Sequence, residues 1–238
     1  MKKIFYLFSI TFLIMQSCSS EDSSDNSNSN GVILIKRLES SNNTDIEYYK
    51  YNGTKLNYVS IGNENGQIWR KQFTYSGDLI TKTEWYENNQ PTGEKNTYAY
   101  SNNKLSEVRV YSPGATLEYK ENYSYNSDGS IDVITTGYNG NGGNFVKIFI
   151  DSNNNVTKKE YLGGYIELFE YDNKNNPHKN ITGVNKLIGR EGINISGNNN
   201  ILSREDKLFD YQYNNQNYPI SCEVLETGQS PVVYNFYY

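Results

Sequence analysis

The sequence is poor in the residues that build metal and thiol chemistry, with one histidine and two cysteines in 238 residues. A zinc site of the histidine and cysteine kind needs several such ligands, so we predict neither a metal nor another cofactor. Basic residues are also few: 22 lysines and arginines stand against 27 acidic residues and give a net charge of -5. Phosphate neutralisation depends on clustered basic side chains, so the composition excludes a nucleic-acid partner.

Long apolar segments are scarce as well, and the clearest one runs from Ile4 to Met15, directly after Lys2 and Lys3. A charged start, about a dozen apolar residues and a small residue before the cut are typical of a secretory signal. The run is too short to cross ~30 Å of hydrocarbon comfortably. We therefore predict that residues 1–17 are a signal peptide removed on export.

Cys18 stands at the expected cleavage point, after Ser17. This arrangement resembles the lipobox of bacterial lipoproteins, in which the peptidase cuts before a diacylated cysteine; Met15 and Gln16 differ from its usual leucine and small residue. The resemblance implies lipidation of Cys18 and a membrane contact through the lipid anchor only. The alternative is a plain signal peptide with a chance cysteine. An acylated Cys18 leaves Cys222 without a disulfide partner, and we expect it to be a small buried side chain.

Residues 18–30 contain the lipidated cysteine and a run of serine, asparagine, aspartate and glutamate without any apolar residue. Such a stretch cannot bury surface, so it is predicted to be a flexible tether. In Bacteroidota lipoproteins, a similar acidic patch after the cysteine directs export to the outer face of the outer membrane. The resemblance implies a lipid-anchored protein of the outer membrane that faces the cell exterior. Alternatively, the acids only keep the linker solvated.

Tyrosine is the dominant aromatic residue, with 23 copies against 9 phenylalanines and 2 tryptophans, and asparagine often occurs in pairs and triplets. Tyrosine favours strands and asparagine favours turns. From residue 31 on, an aromatic-x-tyrosine pattern followed by Asn, Asp, Gly or Ser recurs with a period of about 21 to 25 residues, which indicates a repeat architecture. Its anchor positions are Tyr51, Tyr75, Tyr100, Tyr125, Ile150, Tyr171 and Tyr213.

A second set of turns, such as Ser112–Gly114, lies between these anchors, so the repeat unit is a β-hairpin. Residues 31–238 are predicted to form one all-β domain, an antiparallel up-and-down meander of roughly 14 to 16 strands. Both rings of each pair point to one face, while Lys50, Glu170 and Gln212 point to the other. Because such a polar face cannot meet lipid, we expect a soluble curved sheet or barrel with the rings inside. Residues 175–204 break the period and predict one irregular crossover or short helix, the first place to look for a site.

The tyrosine hairpins resemble the YD repeats of secreted bacterial proteins, although Tyr171-Asp172 is the only literal Tyr-Asp pair of the repeat. The lipobox, the tether, the hairpins and the segment from Asp172 to Ile181 together resemble Bacteroidota surface lipoproteins of unknown function with a porin-like meander domain. That family has no established catalytic residues, so the resemblance transfers none.

Several motifs of the repeat domain are explained by ordinary structure. His178 follows Pro177 in a turn-rich segment and is interpreted as a loop residue. Asp151–Asn155 mimics half of a calcium loop, but Val156 and Leu162 replace its glycine and glutamate, so a hairpin turn is expected. The glycine run at 137–143 lacks the lysine of a phosphate loop and is predicted to be a hairpin tip.

Aromatic residues could bind sugar rings instead of filling the core. Trp69 shares parity with Phe73 and is predicted to be core, whereas alternation leaves the face of Trp85 open. Trp85 and Tyr86 are the predicted ligand-binding residues.

The sequence thus predicts a non-catalytic binding or scaffolding module at the outer membrane surface, with a glycan or an envelope protein as its possible partner. No catalytic residue is predicted. A glycan-active hydrolase with a carboxylate pair and a purely structural envelope protein are the alternatives.

Overall fold

The computed structural model of the chain describes residues 31–42, 46–62, 64, 68–137, 143–189 and 197–238. The predicted signal peptide, Cys18 and the tether lie outside these residues, as does most of the glycine run. In the described part, sixteen β-strands follow one another. They are β1 (Arg37–Ser40), β2 (Glu47–Asn52), β3 (Lys55–Ile61), β4 (Trp69–Ser76), β5 (Leu79–Glu87), β6 (Gln90–Ser101), β7 (Lys104–Ser112), β8 (Thr116–Tyr125), β9 (Ile131–Gly137), β10 (Gly143–Ile150), β11 (Val156–Tyr161), β12 (Ile166–Tyr171), β13 (Ile201–Arg204), β14 (Lys207–Tyr213), β15 (Pro219–Glu226) and β16 (Val232–Tyr237).

Each strand pairs antiparallel with its neighbours in sequence, and β1 pairs with β16 to close a barrel. The closing register joins Arg37 to Tyr237 and Ser40 to Tyr234. The predicted meander of 14 to 16 strands is therefore confirmed, and it takes the barrel form rather than that of an open curved sheet.

The repeat period has a structural cause at the tyrosine-bearing turns. The pairing register shifts just before Tyr51, Tyr75 and Tyr100, so a β-bulge precedes each of these anchors. The turns that follow use positive φ angles, as at Gly53 (61°) and Gly77 (55°). Each repeat therefore contains a bulge, an anchor ring and a turn in the same order. Because the repeat unit is a two-stranded hairpin, all of these turns lie at the same end of the barrel.

The rings of the repeat point into the barrel, as predicted. Tyr49, Tyr98, Tyr123 and Phe169 are buried in the core, and the anchor tyrosines other than Tyr213 pack against that core. Aliphatic side chains on the same inner face complete this layer; the most enclosed are Leu56, Ile80, Leu105, Val108, Ile131, Val156 and Ile201. The core therefore fills the turn end of the lumen.

The predicted crossover connects β12 to β13, and its described residues, 172–189 and 197–200, are called the plug here. It contains a short 3-10 helix, Val184–Lys186, and β13 begins at Ile201, slightly earlier than the sequence suggested. Ile181, Val184 and Leu187 are buried in the core. The plug therefore closes this end of the barrel from the inside. Within the ranges given above, no helix has the length and apolar character needed to cross a membrane.

Candidate functional site

Hydrogen bonds fasten the plug to turns around the barrel end. Thr182 bonds Thr54 through both main chain and side chain, at 2.9 and 2.7 Å. The side-chain amide of Asn180 donates to the carbonyl of Ile33 (2.9 Å) and to the hydroxyl of Tyr218 (2.7 Å). These partners lie before β1, between β2 and β3, and between β14 and β15, so the plug spans the lumen. This end is called the plugged end, and the opposite end is called the mouth.

Asparagine side chains carry much of this fastening, which explains their abundance. Asn155 is 1% exposed; its amide donates to Asp151 (2.9 Å) and to Asn199 of the plug (3.0 Å). Asn200, 2% exposed, donates from its main chain and its side chain to Asp172, at 2.9 and 3.0 Å. An asparagine side chain both donates and accepts, so it can satisfy main-chain groups that the irregular plug leaves unpaired.

The predicted hairpin turn at Asp151–Asn155 is confirmed.

Charged side chains cover the outer wall of the barrel. Lys82 pairs with Glu84 at 2.6 Å, and Arg109 pairs with Glu107 at 2.8 Å, all at outward positions. Exposed apolar side chains occur there too; one of them, Leu168, pairs with Lys158 on the neighbouring strand, whereas Leu208 pairs with Leu225. A transmembrane wall needs a continuous apolar band, because a lysine or arginine at the bilayer midplane costs about 2–4 kcal/mol.

Three cavities border the plug in the part of the chain that the structure describes. The Tyr211 cavity, about 340 Å³, lies between the plug and the wall of β1 and β13–β16. The Trp85 cavity, about 210 Å³, lies between the plug and β2–β5. A third, about 410 Å³, opens among the turns of the plugged end beside Ile188. Small-molecule sites usually measure ~300–1,000 Å³, so the Tyr211 cavity is large enough to hold a ligand and the Trp85 cavity is small for one.

His178 borders both the Tyr211 cavity and the Trp85 cavity. Its Nε2 lies 3.4 Å from the hydroxyl of Tyr49, and its Nδ1 is buried without a hydrogen-bond partner in the described part of the chain. Burial lowers the pKa of His178 to about 4, so the ring is neutral at pH 7. His178 lies in a turn between β12 and β13, as predicted, and its ring is enclosed between two cavities. No local sequence signal could have revealed this, because Tyr49 is 129 positions away.

Trp85 and Tyr86, the predicted ligand-binding residues, lie on opposite faces of the wall. Trp85 lines its cavity together with Phe73 and Lys71, so it points into the lumen. Tyr86 points outward, and the Arg70 guanidinium lies 4.6 Å from its ring centre. The two side chains cannot form one binding surface.

Trp69 is the second tryptophan on the lumen side. It pairs with Ile61 and Glu87, at the mouth end of β4 and β5. Its parity was predicted correctly, but it is 40% exposed, so its assignment to the core was wrong. Trp69 lies at the mouth, whereas the core lies at the plugged end, so the Trp69 ring remains accessible to solvent. Trp69 and Trp85 are diagonal neighbours on one face, a separation of roughly 7–8 Å.

The lumen also holds ion pairs. Glu167, 2% exposed, accepts from Arg204 at 2.6 Å and from the hydroxyl of Tyr161 at 2.8 Å. Lys207 pairs with Glu226 at 2.9 Å. These carboxylates are committed to cationic and hydroxyl partners. No cluster of three or more histidine, cysteine, aspartate or glutamate side chains that could hold a metal ion occurs among the described residues.

Cys222 lines the Tyr211 cavity and is 3% exposed, as expected for a small buried side chain. Burial raises the pKa of its thiol to about 12. The thiol therefore stays protonated at neutral pH and is a poor nucleophile.

No protein-family model and no curated protein matches this chain. Among solved structures, it is similar to a porin-like protein from Bacteroides vulgatus, with 14% sequence identity and a TM-score of 0.54 over 87% of this chain and 99% of that chain. A porin-like protein from Bacteroides uniformis gives 9% identity and a TM-score of 0.36 over 81% of this chain and 76% of that chain. The likeness to the Bacteroides vulgatus protein shows the fold alone: a β-barrel of the porin-like kind.

Proposed function

We propose that this chain is a lipid-anchored, non-catalytic binding protein of the bacterial outer membrane, which binds glycans at the mouth of its barrel. The observation that carries this proposal is the pair of lumen-facing tryptophans, Trp69 at the mouth and Trp85 deeper in the lumen, where its cavity reaches the plug. Their neighbours Lys71 and Glu87 offer hydrogen-bond donors and acceptors beside the rings. Stacking on an aromatic ring combined with polar contacts suits a sugar, which has both apolar faces and hydroxyl groups.

The position of the N-terminal segment supports a defined orientation. Ile33 and Ile35 lie at the plugged end, where their carbonyls accept hydrogen bonds from Asn180 and Tyr51. A tether from a lipidated Cys18 would join the barrel there, so the mouth would point away from the membrane. Lipidation supplies the membrane contact, in keeping with the charged outer wall. The porin-like fold of a Bacteroides protein agrees with an envelope location.

The glycan proposal is tested on a glycan array with the full-length lipoprotein and three alanine variants. Trp69→Ala and Trp85→Ala should each weaken binding roughly tenfold, because losing one stacking ring removes about 1–2 kcal/mol. Tyr86→Ala is the matched control, since that ring lies on the outer wall of the same strand as Trp85. Glycan binding that survives both tryptophan changes would contradict the proposal.

The anchor is tested separately by metabolic labelling with a radioactive fatty acid. We expect Cys18→Ala to abolish the label and to reduce recovery in the outer membrane fraction. The orientation is tested on intact cells, where an epitope placed in the β7–β8 turn at the mouth should be accessible to antibody. Label that persists in Cys18→Ala would disprove the lipobox assignment, and an inaccessible epitope would disprove the outward orientation.

The structure favours neither alternative function. A carboxylate-pair hydrolase needs two acids facing one substrate. Of the three cavities described, only the Trp85 cavity is lined by a carboxylate, Glu47, which already accepts a hydrogen bond from Tyr49. A purely structural role would be expected to show no well-formed pocket and a flat exposed sheet edge or face, whereas each described strand is paired on both sides and cavities border the plug.

A further inference from the structure

The Tyr211 cavity extends from the plug toward the mouth, and its wall changes from apolar to charged along the way. The β13–β14 turn lies at the mouth, because the plug joins β12 to β13 at the other end. Arg204 and Lys207 pair across the two strands beside that turn, and both line the cavity. Further from the mouth, the next pair that lines the cavity is Phe209 with Val224. The cavity therefore has a charged end at the mouth and an apolar interior.

The asparagine side chains at the plug end of the cavity are already hydrogen-bonded within the plug. The amide of Asn200 donates to Asp172 at 3.0 Å, and Oδ1 of Asn176 accepts from the main-chain N–H of His178 at 2.8 Å. Both asparagines are at most 2% exposed, so they close the cavity at this end. Side chains with a large apolar surface complete the wall: Leu38, Pro177, Tyr211, Tyr234 and Phe236. Burial of a hydrocarbon chain against such a wall is favourable.

The two cations at the mouth retain hydrogen-bond donors that no described residue uses. A guanidinium carries five N–H groups, and Arg204 donates only from Nε, to Glu167 at 2.6 Å. An ammonium carries three, and Lys207 has one partner in the described part of the chain, Glu226 at 2.9 Å. Both cationic side chains are 39% exposed, so atoms of a ligand can reach them. Neither group accepts hydrogen bonds, so the matching head group is an acceptor, and an ionised acceptor forms the stronger bond.

We propose that the Tyr211 cavity is a second binding site, for a small amphipathic anion that consists of a carboxylate and one aliphatic chain of medium length. The carboxylate joins the ion pairs of Arg204 and Lys207 at the mouth, and the chain lies in the apolar interior. A cationic head group would meet two cations there. The volume of about 340 Å³ is near the lower end of the usual ~300–1,000 Å³ for small-molecule sites, which suits a single chain. Neither Trp69 nor Trp85 lines this cavity, so the site is distinct from the tryptophan pair.

The test compares decanoate with decanol and decylamine, which share its carbon chain and differ in the head group. Full-length protein in phosphatidylcholine nanodiscs is dialysed to equilibrium against each radiolabelled molecule, and empty nanodiscs measure the partition into lipid. Decanoate should show saturable binding to one site per chain. Decanol should bind roughly tenfold more weakly, because it lacks an ionised acceptor, and decylamine should show no saturable binding. Octanoate is shorter by two CH₂ groups and should bind roughly tenfold more weakly than decanoate if the chain is buried.

Four variants locate the bound chain. Val224→Trp fills the Tyr211 cavity and should abolish decanoate binding, whereas Val59→Trp fills the Trp85 cavity and should leave it intact. Lys207→Gln should weaken decanoate binding roughly tenfold and leave decanol binding unchanged, because it removes the charge and keeps the length of the side chain. Trp69→Ala should not affect decanoate, so a failure of the glycan site is separable from a failure here.

Two results with the unaltered protein would overturn the proposal. The first is equal affinity for decanoate and decanol, which would mean that the cations do not recognise the head group. The second is decanoate uptake no greater than that of empty nanodiscs. Both measurements are independent of whether any variant folds.

Discussion

The hydroxyl of Tyr100 donates to the main-chain carbonyl of Ile80, with 2.7 Å between the two oxygens. The same relationship joins Tyr51 to Ile35 at 2.7 Å and Tyr171 to Val156 at 2.9 Å. In each case a ring that follows a bulge reaches back to the preceding hairpin. At these three anchors the second position of the repeat uses its hydroxyl, whereas Ile150 occupies the same position in another repeat without one.

Tyr100→Phe should destabilise the barrel by about 1–3 kcal/mol, because the buried carbonyl of Ile80 loses its donor while the ring is retained. Tyr86→Phe is the control, since its hydroxyl lies on the outer wall and bonds Glu84 at a long 3.3 Å. Its loss should stay within about 0.5 kcal/mol. Urea unfolding followed by circular dichroism gives both values. Equal losses for the two variants would show that the hydroxyl of Tyr100 has no special structural role.

The plug should contribute strongly to stability through Leu187, which is fully buried in the core. Leu187→Ala should cost about 2–5 kcal/mol, the usual range for a large-to-small change at such a site. Leu168→Ala makes the same chemical change at a side chain that is 62% exposed and should be nearly neutral. The midpoints of urea denaturation compare the two. If Leu187→Ala were as mild as Leu168→Ala, the plug would not be part of the cooperative core.

Gly183, at the start of the short helix, should tolerate no side chain. Its φ is +83°, and a Cβ there would lie 2.6 Å from the carbonyl oxygen of Asp78. Gly129 has a similar φ of +86° but open space around it. Gly129→Ala should therefore cost only the backbone penalty of about 1–2 kcal/mol, and Gly183→Ala a further 1–3 kcal/mol from the clash. Thermal unfolding of the two variants measures the difference, and identical losses would argue against a close approach of the plug to the β4–β5 turn.

The sequence predicted the meander, the inward rings and the position of the plug because each depends on local rules: alternation along a strand and the turn chemistry of asparagine and glycine. The sequence did not decide whether Trp85 points into or out of the barrel, because a β-bulge interrupts the alternation along β5. Simple alternation separates Ile80 from Trp85, yet the register shift at Tyr75–Ile80 inserts one residue and turns both inward. The sequence placed His178 in a turn but not the enclosure of its ring, since its partner Tyr49 is 129 positions away along the chain.

The buried imidazole of His178 should make stability depend on pH. Burial lowers its pKa from 6.5 to about 4 in the folded protein, so between these values the unfolded chain binds the proton more tightly. The contribution of His178 to the free energy of unfolding is therefore fully present above pH 6.5. It is lost as the pH drops through this window, by on the order of 3 kcal/mol in all. His178→Phe keeps a ring of similar volume and should flatten the profile between pH 6.5 and 4.5. Because both proteins share the same carboxylates, the difference between their urea midpoints at each pH isolates the histidine. Parallel profiles for the two proteins would mean that His178 accepts a proton in the folded barrel as readily as in the unfolded chain.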